Sequence, residues 1–184
     1  MAKTKAEQFL NTLGSEIAPA EAFVPVNLLE TLVDCGIRLC FDGELDEEIS
    51  AKLEIVGQKK TLRLNPIDNP YRLENRYLVA HVLGHYALHC QPGADYIIVE
   101  RRGEYSEAVK RFIPAVEMEA CSFADDLLLP VEACRFVMKK FRDEAPEQSG
   151  HDQETFWKER FSSIFDVQPP VYLHHRLRHL GLML

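Results

Sequence analysis

No run in this sequence approaches the roughly 18 uninterrupted apolar residues that a membrane-spanning helix needs, so no membrane association is expected. Nor does it open on a secretory signal, because Met1-Ala2-Lys3-Thr4-Lys5-Ala6-Glu7 is charged and has no apolar core before a small-residue cleavage site. These two features predict a cytoplasmic protein. Cysteine is scarce: Cys35, Cys40, Cys90, Cys121 and Cys134 are odd in number, widely spaced and free of any Cys-x-x-Cys pair. That excludes a disulfide framework and a zinc finger, and predicts reduced, partly buried thiols. With only 9 Gly and 10 Pro and a charged content of 27%, collagenous, low-complexity and disordered classes fall away as well. Basic charge is also short, 21 Lys and Arg against 29 Asp and Glu for a net charge of −8. This is the wrong sign for affinity gained by neutralising phosphates, so direct nucleic-acid binding is not expected.

What remains is an ordinary globular composition, 46% apolar over 184 residues, enough for a single domain over residues 1–184 with its own core. Ala6, Phe9, Leu10 and Leu13 follow the i, i+3, i+4, i+7 rule and predict a short helix closed by Gly14. Pro19 and Pro25 mark the following stretch as a connector. Asn27, with Glu30 three positions on, predicts a second helix ending at Gly36. Ile37 to Phe41 alternates and stops at Asp42-Gly43, while Ala51 to Val56 and Thr61 to Leu64 form a hairpin around Gly57-Gln58-Lys59-Lys60. Asn69-Pro70 reads as the start of a long central helix running through Cys90. Ala94 to Val99 is a weaker strand or loop candidate. A further helix, Ala115 to Leu129, should turn Val116, Ala120, Phe123, Ala124, Leu127 and Leu128 inward before Pro130 stops it. The remainder, a helical tail from about residue 131 to 184, includes a last helix over Val171 to Leu180. The class expected is α+β, a small antiparallel sheet with a long helix and a helical remainder.

The chemistry-bearing residues lie in that long helix. His81, His85 and His89 recur every four residues and so share one helix face. Two histidines at i, i+4 can aim their nitrogens at one metal ion. Spacing alone decides little, since seven histidines in 184 positions give roughly 0.3 such pairs by chance. His175 and His179 form a second pair, but the arginines between them would repel a cation and mark a solvated face.

The first pair stands in a longer context. Arg76-Tyr77-Leu78-Val79-Ala80-His81-Val82-Leu83-Gly84-His85-Tyr86-Ala87-Leu88-His89 is followed by Glu117-Met118-Glu119-Ala120-Cys121-Ser122-Phe123-Ala124-Asp125-Asp126-Leu127-Leu128-Leu129-Pro130. This order resembles the ImmA/IrrE family of zinc metallopeptidases, as do the Pro25-Val26 helix start, the hairpin before Asn65 and the terminal Arg-Leu-x-x-Leu-Gly-Leu at Arg176 to Leu182. The resemblance implies a zincin-like fold in which the long helix carries the active site. It assigns His81 and His85 as zinc ligands and Glu117 as the third, with Glu119 the lesser candidate. Two imidazoles and one carboxylate would leave a fourth position open, as in catalytic zinc centres.

Two departures bear on function. The family pattern is His-Glu-x-x-His, and here Val82 stands at the general-base position, where it can neither take nor return a proton. General acid–base help is worth about 10²–10⁴ in rate, so peptide cleavage should be weak or absent. Cys121 replaces the Asn or Asp that would orient a ligand histidine; a thiol accepts weakly, and such losses cost about 10–100-fold in metal affinity. The alternative is Cys121 approaching the metal as thiolate. His89 reads as a helix histidine or a substrate or supporting contact, and Tyr86 as core packing or an oxyanion stabiliser. The function expected is a degenerate metallopeptidase-like protein with a weakened zinc site, binding a protein partner such as a helix-turn-helix regulator. The alternative is an active zinc endopeptidase that cleaves a repressor with a substitute base, Glu119 or Asp125.

Overall fold

A computed structural model describes residues 3–68, 75–102, 114–144, 160–167 and 170–182. The polypeptide divides into two compact units, Asn27–Ala124 on one hand and Met1–Val26 with Asp125–Leu184 on the other. Among the described residues no helix is long and apolar enough to cross a membrane.

The first helix, α1 (Lys5–Thr12), begins with a reciprocal cap in which Glu7 N–H donates to Thr4 Oγ1 and Thr4 N–H donates to Glu7 Oε2. It belongs to the unit built from the two chain ends, as does a 3₁₀ turn (Ala20–Ala22) within the stretch expected to be a plain connector.

In the Asn27–Ala124 unit, Asn27 caps α2 (Leu28–Asp34) by accepting from Glu30 N–H, and Gly36 at φ +66 reverses the chain into β1 (Ile37–Phe41). The hairpin β2 (Ile49–Val56) and β3 (Lys59–Leu64) turns on Gly57 and Gln58 alone. The helix α3 (Arg76–His89) follows, then β4 (Tyr96–Arg101) and α4 (Ala115–Leu128), whose last turn lies in the other unit.

The sheet order is β1-β3-β2-β4, with β2 antiparallel to both neighbours but β1 parallel to β3. The sheet is therefore mixed rather than wholly antiparallel as expected. The returning strand β3 inserts between β1 and β2, so two strands of the same direction become neighbours; alternation within each strand carries no information about that choice.

One face of the sheet supplies Ala51, Leu53, Ile55, Leu62 and Leu64 to the core, and α3 is buried from Tyr77 through His85. Asn75 caps α3 by accepting from Leu78 N–H at 3.1 Å, so this helix starts at Arg76. The Asn69-Pro70 start itself falls outside the described residues. Gly84 makes the contact between α3 and α4 intimate: a Cβ there would meet Ala120 Cα and O at 3.0 Å and Phe123 Cβ at 3.2 Å. One expected core position fails. Val116 is 47% exposed, because Glu117, three residues before the buried Ala120, takes the inward direction in the first turn of α4.

The other unit is helical, with α5 (Val131–Glu144), a helical segment at 160–165 and α6 (Pro170–His179). Its core stacks Phe161 on Phe165 and sets Phe23 and Phe141 against them, with centroids 4.8–5.6 Å apart. The buried Arg176 donates to Asp126 Oδ1 at 2.6 Å and to Leu129 O at 3.2 Å, tying α6 to the end of α4. His175 and His179 are exposed on α6 as expected, but of the two arginines between them only Arg178 shares that solvated face, Arg176 being buried.

Candidate metal centre

Among the described residues, one group of side chains converges closely enough to hold a metal ion: His81, His85, Glu100 and Glu117, one donor atom from each, all within 4.8 Å of one another. Helical periodicity explains the first two. Four residues apart on α3, His81 and His85 bring their Nε2 atoms to 2.9 Å, with the rings edge to face. The close approach of α4 over Gly84 supplies the third. Glu117 Oε2 lies 3.2 Å from each of the two Nε2 atoms. Glu100 comes from β4, with Oε2 3.6 Å from His81 and Oε1 3.6 Å from His85.

Zinc held by nitrogen and oxygen at about 2.0–2.1 Å in tetrahedral geometry separates neighbouring donors by about 3.3 Å. The spacings to the two Nε2 atoms, 2.9 to 3.6 Å, bracket that edge. Two neutral imidazoles and two carboxylates are also a donor set suited to a divalent ion, so the residues fit one.

The outer nitrogens of both histidines have partners too. His85 Nδ1 lies 3.1 Å from His89 Nδ1, and His89 Nε2 lies 3.3 Å from Glu119 Oε2. If His85 offers its Nε2 lone pair inward, its Nδ1–H donates to His89, whose Nε2–H donates to Glu119. This carboxylate–histidine chain fixes one tautomer of the inner ring. His81 has the weaker support. Its Nδ1 faces Cys121 Sγ at 3.6 Å, so the thiol meets the outer side of the ring and not the side where the other donors converge.

Charge follows from this geometry. Burial by itself pulls the His81 pKa down, but hydrogen bonds to Cys121 and Glu117 and the negative charge of Glu100 outweigh it and hold it at about 9. For His85, burial and the charge on His81 bring the pKa down to about 4. Hydrogen bonding to His81 keeps the Glu117 carboxyl below the usual carboxylate range despite partial burial.

Comparison with protein-family models, curated proteins and solved structures finds no match to this chain.

The site residues expected from sequence are distributed as follows. His81, His85 and Glu117 meet; Glu119 and His89 lie behind His85; Cys121 lies behind His81. The Tyr86 hydroxyl accepts from Lys60 Nζ at 2.7 Å, and that ammonium also donates to Cys35 O and sits 4.9 Å from the Tyr86 ring centroid. Asp125, considered as a substitute base, lies 3.8 Å from the Arg176 guanidinium. Val82 is buried. Glu100 was missed. It follows the apolar run Tyr96-Ile97-Ile98-Val99, one residue past the end of the strand or loop expected over Ala94 to Val99. In the actual strand it is two residues from Ile98 and faces inward with 3% of its side chain exposed. A carboxylate directly continuing an apolar strand run, two residues on from Ile98, is the signal that could have found it.

Proposed function

We propose that this chain is a metal-binding relative of the ImmA/IrrE metallopeptidases, with a zincin-like fold, that cleaves peptides poorly or not at all and acts by binding a protein partner. The observation that carries this is the meeting of His81, His85 and Glu117 from two helices, beside a buried Val82 at the position that the resemblance assigns to the general base. His81 and His85 would hold the ion through Nε2 and Glu117 through a carboxylate oxygen. His89 with Glu119 orients His85, and Cys121 orients His81 less firmly. A bound divalent ion supplies Lewis acidity. Val82 offers no group to move a proton, which is the step the resemblance would require at that position. The partner class, a helix-turn-helix regulator, is what the resemblance implies, since helix-turn-helix repressors are often the partners cleaved in the family it resembles. With its net charge of −8 the chain would reach DNA only through that partner.

The test is proteolysis of repressor substrates by zinc-loaded protein, alongside partner capture by the same preparation. Wild type should show no chelator-sensitive cleavage and should retain a protein partner. Cleavage abolished by both His81→Ala and Glu117→Ala would establish the active endopeptidase instead.

A further inference from the structure

We propose that Glu100 is a fourth protein ligand, closing the centre into a two-histidine, two-carboxylate site with no position left for water. This rests on the reading that His81, His85 and Glu117 bind a metal, and it changes what that metal does, from an open catalytic centre to a closed structural one.

The carboxylate is placed for sharing an ion rather than a proton. Its two oxygens each stand 3.6 Å from a different Nε2. That exceeds the 2.7–2.9 Å of a charge-assisted hydrogen bond and lies near the tetrahedral donor edge of about 3.3 Å. Burial adds a second argument, because a carboxylate with 3% side-chain exposure is shielded from water and interacts strongly with a cation placed beside it. Two carboxylates and two neutral imidazoles balance a divalent ion to zero net charge, whereas Glu117 alone would leave one positive charge in a buried place. The third argument is in the sheet. The register between β2 and β4 shifts between Ile49 and Ala51, opposite Arg101 and Glu100. Before that shift Glu100 pairs with the buried Ala51, as Ile98 pairs with Leu53 and Tyr96 with Ile55, so strand alternation sets its carboxylate on the inward face. Glu100 is thus delivered by a paired strand, a more rigid mount than a loop.

Val82 then has a simple consequence. Both requirements of hydrolysis are removed by separate residues, the base by Val82 and the open position by Glu100.

Cobalt(II) is the probe, with wild type, Glu100→Ala and the isosteric Glu100→Gln compared by competition titration and visible absorption. Circular dichroism and thermal melts confirm that each variant is folded. The wild-type cobalt spectrum should be tetrahedral and unchanged by added acetate. Glu100→Ala should bind more weakly by at least the about 10–100-fold that outer-shell partners are worth, and its spectrum should respond to acetate entering the vacated position. Glu100→Gln should fall between. A wild-type spectrum that responds to acetate, with affinity unchanged in Glu100→Ala, overturns the fourth-ligand assignment while leaving the three-residue site standing. Failure of wild type to bind cobalt or zinc overturns both.

Discussion

His81 Nε2 and His85 Nε2 face each other at 2.9 Å, a separation that two positively charged rings would not hold in a buried site. One ring must therefore stay neutral in metal-free protein. Hydrogen bonding and the neighbouring carboxylates put the charge on His81, with a pKa of about 9, and leave His85 uncharged, with a pKa of about 4. An ion that binds both Nε2 atoms has to displace the proton on His81.

Zinc binding near pH 7.5 should accordingly release about one proton per ion, measurable by titration calorimetry in buffers of different ionisation enthalpy. No buffer dependence would mean that His81 is already neutral. The same pair predicts how metal-free stability varies with pH. His81 has a folded pKa above the ordinary 6.5, so its contribution is complete below that value and is lost as pH rises toward 9. His85 has a folded pKa below 6.5, so stability is lost as pH falls from 6.5 toward 4, where the unfolded chain binds the extra proton. For this pair, melting temperature in chelator should peak near pH 6.5, and the alkaline slope should flatten in His81→Gln.

Cys121→Asn should tighten zinc binding by up to about 10–100-fold without creating peptidase activity. The amide oxygen would accept the His81 Nδ1–H now facing a thiol at 3.6 Å. Competition against a chromogenic chelator measures this; unchanged affinity would show that the thiol already orients the ring.

Gly84→Ala should loosen the site from outside it. The added methyl would press on Ala120 backbone atoms at 3.0 Å, which cannot rotate away as a side-chain end could. Overpacking of about 1–3 kcal/mol should exceed the gain of up to about 1 kcal/mol that alanine brings to a helix. Thermal melts should show a net loss of stability. Zinc affinity should fall as well, because Glu117 rides on the displaced helix.

Much of the candidate metal centre was visible in local pattern. A four-residue spacing sets His81 and His85 side by side on any helix, and Asn27 announced its helix through cap chemistry that acts over three residues. Glu117 needed more than periodicity: nothing within α4 distinguishes it from a solvated carboxylate, and it stood out only through the resemblance. The rest depends on distant partners. Parallel pairing of β1 with β3 is decided by a strand arriving some twenty residues later. Glu100 acquires its environment from histidines on α3 and from its pairing with Ala51 across the sheet. Val116 loses its inward place because Glu117 is drawn toward those same histidines. Arg176 marks a middle case, a motif residue noticed in sequence whose bond to Asp126 spans 50 positions.

The most direct test is the zinc content of purified protein after equilibration with excess zinc and removal of unbound metal, compared with His81→Ala and Glu117→Ala. The account predicts one zinc per chain in wild type, at or near pH 7, and loss of that zinc in both variants with their fold retained. Wild type that takes up no zinc, or variants that keep it, would contradict the assignment of His81, His85 and Glu117 as the metal centre.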